Sequence, residues 1–194
     1  MRHRISRRKF VKSGAVGFIA AAVGRVTPEA VVQVSRNNRI LLKGGMVLTL
    51  DRNIGDFETA DVLIEGKKIV AVQPNLKAEG QVIDASNTIV MPGFIDTHHH
   101  QYETILRSIL ADGLLTGPKS YNSEIQGILT PVYRPEDANI SELVASLSQI
   151  NAGVTTGVDT SQVSHTPQHT DACIDGLARA GRRTLFAYSQ GVGP

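Results

Sequence analysis

Cysteine is nearly missing: Cys173 is the single one in 194 residues, which excludes an intrachain disulfide and a cysteine-built metal cluster. Aromatic residues reach only 5%, and no basic stripe interleaves with them, so nucleic acid is not an expected partner. No nucleophile elbow, P-loop or Gly-rich dinucleotide fingerprint occurs. No internal repeat is visible. The uncharged run Gly14–Gly24 is eleven residues long, short of the ~20 that a membrane span needs. Length is limiting too, because a closed (β/α)8 barrel usually takes roughly 250 residues. What remains is an ordinary globular composition, 41% hydrophobic and 20% charged, which excludes disorder, collagen and a coiled coil as the main character.

Acidic residues are absent from residues 1–25, where seven of the 20 basic side chains fall. The rest of the chain carries 13 basic against 18 acidic residues, so the net charge of +2 conceals two unlike segments. A basic start, a short apolar run and small residues around Ala20–Ala22 read as a secretory signal over residues 1–30. Within it, Ser6-Arg7-Arg8-Lys9-Phe10-Val11-Lys12 resembles the twin-arginine export motif, with Val in the Leu place. Such a motif is an address read by a receptor and not an anchor. It implies the twin-arginine export machinery as a partner and a bacterial periplasmic or secreted product.

From residue 38 to 91 the chain alternates short β-type runs with turns. Ile40–Leu42 and Met46–Leu50 flank Gly44-Gly45, and Thr88–Met91 follows Val82-Ile83. Val62–Ile64 and Ile69–Val72 flank a four-residue hairpin connection, Glu65–Lys68, that contains Gly. This spacing predicts a small antiparallel sheet or half of a sandwich. Residues 92–194 read differently. Phe94–His98 is a strand and Tyr102–Ala111 a brief helix. Residues 113–135 form a long irregular segment of the kind that serves as a lid or binding loop. A helix over 136–151 has Leu143, Leu147 and Ile150 as its apolar stripe. Strands follow at Val154–Asp159 and Thr184–Tyr188. Between them runs a helix opened by Thr166-Pro167 and closed by Gly181, with Cys173, Ile174, Leu177 and Ala178 as its apolar side. Strand, helix, strand, helix, strand predicts an α/β fold with a parallel sheet.

The sharpest feature is Met91-Pro92-Gly93-Phe94-Ile95-Asp96-Thr97-His98-His99-His100. Side chains alternate along a strand, so His98 and His100 point to one side and His99 to the other. Two imidazoles so placed can converge on one ion. Alternation puts Asp96 with them, as a second-shell acceptor able to fix an imidazole tautomer. Gln101, Tyr102 and Glu103 follow at the mouth of the site. Gln101 and Glu103 are candidate substrate contacts, as is His165 in the loop after the second strand. Glu103 reads first as a helix N-terminal carboxylate favoured by the dipole.

Residues 39–194 resemble the N-terminal part of a metal-dependent amidohydrolase, in the branch with cytosine deaminases, adenosylhomocysteine-type deaminases and triazine chlorohydrolases. The stretches that carry the resemblance are LLKGGMVLTLD, ADVLIEGKKIVAV, VIDASNTIVMPGFIDTHHH and INAGVTTGVD. It implies an incomplete (β/α)8 TIM barrel, its first three strands, preceded by part of a small β-sandwich. His98 and His100 would be metal ligands at the end of barrel strand 1. Further His ligands after strands 5 and 6 and an Asp after strand 8 would lie beyond Pro194, together with the catalytic residues, so this chain would be an N-terminal fragment. The implied cofactor is one divalent metal, zinc ahead of iron. The implied reaction is hydrolysis of a non-peptide C–N bond in a small cyclic amide or amidine. Two alternatives stay open: hydrolytic dechlorination of a triazine-like ring, and a truncated, non-catalytic metal- or ligand-binding fragment. A partial barrel would leave an unpaired parallel edge, which favours a homo-oligomer.

Overall fold

A computed structural model describes residues 38–110 and 113–191. The expected export signal lies outside the described residues. They divide into two units between Pro92 and Gly93. Among the described residues no helix is long and apolar enough to cross a membrane.

The first unit is a mixed sheet of β1 (Arg39–Val47), β2 (Phe57–Glu65), β3 (Lys68–Gln73), β4 (Gln81–Asp84) and β5 (Ile89–Val90). Its order is β3-β2-β1-β4, with β5 also on β1. β2 and β3 make a hairpin with Glu65 opposite Lys68. Only Gly66 and Lys67 turn the chain, with Gly66 at φ 61°, a tighter connection than the expected four residues. Two other expectations are corrected. Gly44-Gly45 does not separate two strands. β1 runs through it as an irregularity, with register shifts on either side of Gly45 and Gly44 at φ 76°. The sheet is also not antiparallel throughout, because β4 pairs in parallel with the first half of β1 and β5 with its second half. Asp61 pins this point. It is buried, and its carboxylate accepts the N–H groups of Gly44 and Leu76, both at 2.8 Å. Val47, Ala60 and Val62 form the core, with Leu42, Phe57 and Val90 packed on them.

The second unit is built on three parallel strands in the order β6 (Phe94–His99), β7 (Val154–Thr160), β8 (Arg183–Ala187). After β6 a 3-10 helix covers Gln101–Leu106. It replaces the longer helix expected there and gives out before Ser108, a non-glycine residue at φ 68°. The segment expected to be irregular contains a π-helix, Tyr121–Leu129, started by a reciprocal Ser120–Ser123 cap. A 3-10 turn, Thr130–Val132, follows it.

Two α-helices complete the unit, α1 (Pro135–Asn151) and α2 (Pro167–Ala180). α2 opens where Thr166 accepts the His169 N–H and ends at Gly181 in the left-handed region, φ 77°. Cys173, Ile174 and Leu177 are buried, while Ala178 is exposed. α1 is turned over relative to its expected stripe. Leu147 and Ile150 are 49% and 40% exposed, and Ala138, Ser141, Glu142, Ala145 and Ser146 are buried. The reason lies in what the helix meets. The sheet side offers Gln101, Asp159 and Arg182, all buried, so a small and polar helix face is the one that fits. Small residues also let the helices approach: a Cβ on Gly176 would stand 2.5 Å from the Asn139 carbonyl oxygen. Tyr102, Tyr133, Ala138, Val163 and Cys173 form the core, with Leu106 and Phe186 against it.

Candidate metal and substrate site

The C-terminal end of β6 brings His98 and His100 together. Their Nε2 atoms are 3.3 Å apart, and the rings meet edge to face with centroids 4.9 Å apart. Two nitrogens at Zn–N distances of ~2.0–2.1 Å and a tetrahedral angle stand about 3.3–3.4 Å from each other. The pair therefore fits one shared ion. His100 Nδ1 donates to the Thr160 carbonyl at 2.7 Å, which sets the tautomer and leaves the Nε2 lone pair free to ligate. Among the described residues no group of three or more His, Cys, Asp or Glu side chains is placed to hold a metal. The site they form has two nitrogens.

His99 faces elsewhere. Its Nδ1 lies 2.5 Å from Gln149 Nε2 on α1, and burial lowers its pKa against the opposing pull of Asp96. A register shift between Asp96 and His99 interrupts the alternation, so Asp96 does not keep the side that alternation assigns it. Its carboxylate accepts from Gln149 Nε2 at 2.7 Å and from the His98 N–H at 3.2 Å. It stands 3.9 Å from His99 Nδ1.

A cavity of about 840 Å³ opens beside the pair, lined by His98, His99, His100, Glu103, Arg107 and Tyr121 among others. Glu103 lies at this wall. Tyr121 and Gln126 bond to it from the π-helix, and sequence reasoning missed both because that segment shows no apolar period. Burial foremost, then the Glu103 carboxylate, raises the Tyr102 and Tyr121 hydroxyl pKa values.

Gln101 is not at the mouth of the site. It is fully buried, giving its amide N–H to Glu142 at 3.1 Å and accepting from Arg182 at 2.9 Å and Ser146 at 3.1 Å. Its backbone N–H reaches Asp159 at 3.3 Å. Sequence period gave no hint of Glu142, Asp159 or Arg182, because their partners come from distant elements. His165 is also removed from the cavity lining. It donates to the Thr130 carbonyl at 3.0 Å and stacks edge to face on His169.

No protein-family model matches the chain. The chain is 36% identical over 124 residues to a 5-methylthioadenosine/S-adenosylhomocysteine deaminase of Pyrococcus horikoshii, covering 62% of this chain and 28% of the relative. It is 33% identical over 151 residues to the enzyme of that name from Thermococcus kodakarensis, covering 77% and 33%. Among solved structures, a zinc complex of a mutant atrazine chlorohydrolase from Arthrobacter aurescens has a TM-score of 0.65 and 29% identity, over 77% of this chain and 35% of that one. A zinc-bound adenosine deaminase from Xanthomonas campestris, at 20% identity and TM-score 0.64 over 75% of this chain and 33% of that one, shares the fold. The chain thus spans about a third or less of the length of these proteins. The parallel unit with its paired histidines, the mixed sheet before it and these similarities together support the amidohydrolase superfamily, among deaminases and triazine hydrolases.

Proposed function

We propose that this chain is part of a metal-dependent hydrolase acting on a non-peptide C–N bond of a small cyclic amide or amidine, and that β6, β7 and β8 are the first strands of a (β/α)8 barrel. The observation that carries the reading is the His98–His100 pair, with Nε2 atoms 3.3 Å apart. These two residues would hold a divalent ion, zinc ahead of iron. When bound, such an ion makes water a nucleophile near neutral pH and polarises the bond to be cleaved.

The chain's own residues prepare the place. Thr160 fixes the His100 tautomer through its carbonyl. Gln149 holds His99 away from the pair. Asp96 acts on the strand end through the His98 N–H and through Gln149, not through a ligand ring. Glu103 presents a carboxylate to the cavity. The named relatives, which act on adenosine derivatives, support a heterocyclic substrate. Hydrolytic dechlorination of a triazine ring is the second reading, favoured by the similarity to atrazine chlorohydrolase. Export through the signal at Arg7-Arg8 to a bacterial periplasm, or beyond it, belongs to the same proposal.

Zinc content of purified variants tests the site. His98→Ala and His100→Ala are each expected to lose the metal, because either change removes one of two nitrogens. His99→Ala is expected to keep it, since that ring bonds to α1. Loss of zinc in His99→Ala with retention in His98→Ala overturns the assignment.

A further inference from the structure

Glu103 reaches the cavity with one oxygen fully engaged. Its Oε1 accepts from the Tyr121 hydroxyl at 2.5 Å, the Tyr102 hydroxyl at 2.9 Å and Gln126 Nε2 at 3.3 Å. Gln126 Nε2 also lies 2.5 and 2.7 Å from the Tyr121 and Tyr102 hydroxyls and 3.1 Å from Gln162 Oε1. Glu103 Oε1 and Gln162 Oε1 can only accept, so the amide nitrogen is the atom turned toward them.

Each hydroxyl brings one proton and the amide two, and all have acceptors inside the cluster. Tyr102 can give its proton to Glu103 or to Gln162 Oε1 at 3.0 Å. No donor of this set is left for the cavity. What is left is acceptor capacity: the second oxygen of Glu103, a residue that lines the cavity, takes no part in these bonds. Arg107 lines the same cavity, yet among the described residues no Lys or Arg forms an ion pair with Glu103.

We infer that this wall recognises a hydrogen-bond-donating, cationic amino or amidinium group on the substrate. Glu103 determines that specificity, and Tyr121 and Gln126 are positioning residues that hold its carboxylate. The inference rests on the hydrolase reading for the place of the reacting bond. Selection by Glu103 itself needs no metal.

Benzamidinium, benzamide and benzoate share a shape and differ in charge and donors, which makes them suitable probes for calorimetric titration of the full chain without added zinc, where benzoate has no metal to ligate. Binding is expected in that order, with benzamidinium about tenfold tighter than benzoate. Glu103→Gln keeps the shape and removes the charge, so it is expected to weaken benzamidinium about tenfold with zinc content and far-UV dichroism unchanged. Tyr121→Phe frees one side of the carboxylate and is expected to cut the preference about threefold, the scale of one hydrogen bond. Benzamidinium binding equal in wild type and a folded Glu103→Gln, or benzoate preferred by the wild type, overturns the inference. Should Glu103→Gln not fold, an unchanged preference in Tyr121→Phe overturns it. A chain that prefers benzamidinium but takes up no zinc refutes the metal site and leaves this wall standing, and zinc uptake with no preference does the reverse.

Discussion

Replacing Glu142 with Gln is expected to stabilise the fold near neutral pH and to flatten its response to pH. Glu142 is wholly buried between α1 and the parallel sheet, where it accepts from Gln101 at 3.1 Å. Burial first, and then the charge of Asp159, pushes its carboxyl well above the ordinary range. Burial pushes Asp159 up to about 6. A carboxyl raised in the folded state binds more protons there than in the unfolded chain. Its contribution to stability is therefore full below the unfolded pKa and falls as pH rises toward the folded one.

The window opens at the ordinary values, 4.5 for Glu142 and 3.8 for Asp159. Within it each titrating proton removes up to ~1.4 kcal/mol per pH unit. Gln keeps a carbonyl oxygen for Gln101 and sets an amide donor beside Asp159, whose Oδ2 is buried without a partner. That donor survives at any pH. Urea unfolding between about pH 5 and about pH 8 reads the effect. Wild-type stability should fall across the series while the variant stays flatter and exceeds it at neutrality. A variant whose stability changes with pH in parallel with the wild type, or one weaker at neutral pH, refutes the account of this pair, since the lowered His99 pKa acts equally in both.

Two further outcomes are expected. Gly176→Ala would place a Cβ 2.5 Å from the Asn139 oxygen and 3.0 Å from Glu142 Cβ. Forcing α1 and α2 apart should lower stability by about 1–3 kcal/mol, seen as a lower melting temperature, and an unchanged melt would show that the helices are not in close contact there. Replacing Arg7 and Arg8 together with Lys should block export while leaving the cytoplasmic product folded, because Lys does not reproduce guanidinium geometry. Undiminished periplasmic accumulation on fractionation would dismiss the signal.

Features written in neighbouring residues were legible, and those assembled across the fold were not. Thr166, Pro167 and Gly181 delimit α2 through local capping, and His98 and His100, two residues apart where β6 gives way to the 3-10 helix, converge within one short stretch of chain. α1 shows the limit. Its period revealed that the helix has faces, but which face is buried depends on Gln101, Asp159 and Arg182, none of them on that helix. The mixed sheet was hidden for the same reason, since β4 reaches β1 from 41 residues away, Gln81 opposite Ile40. The site divides along this line. The proposed ligand pair is local, whereas the carboxylate wall draws Glu103, Tyr121, Gln126 and Gln162 from three separate stretches of chain. Even the orientation of the His100 ring is held by a carbonyl sixty residues away. The proposed metal chemistry is thus readable as a motif, while the proposed choice of substrate rests on contacts that exist only once the chain has folded.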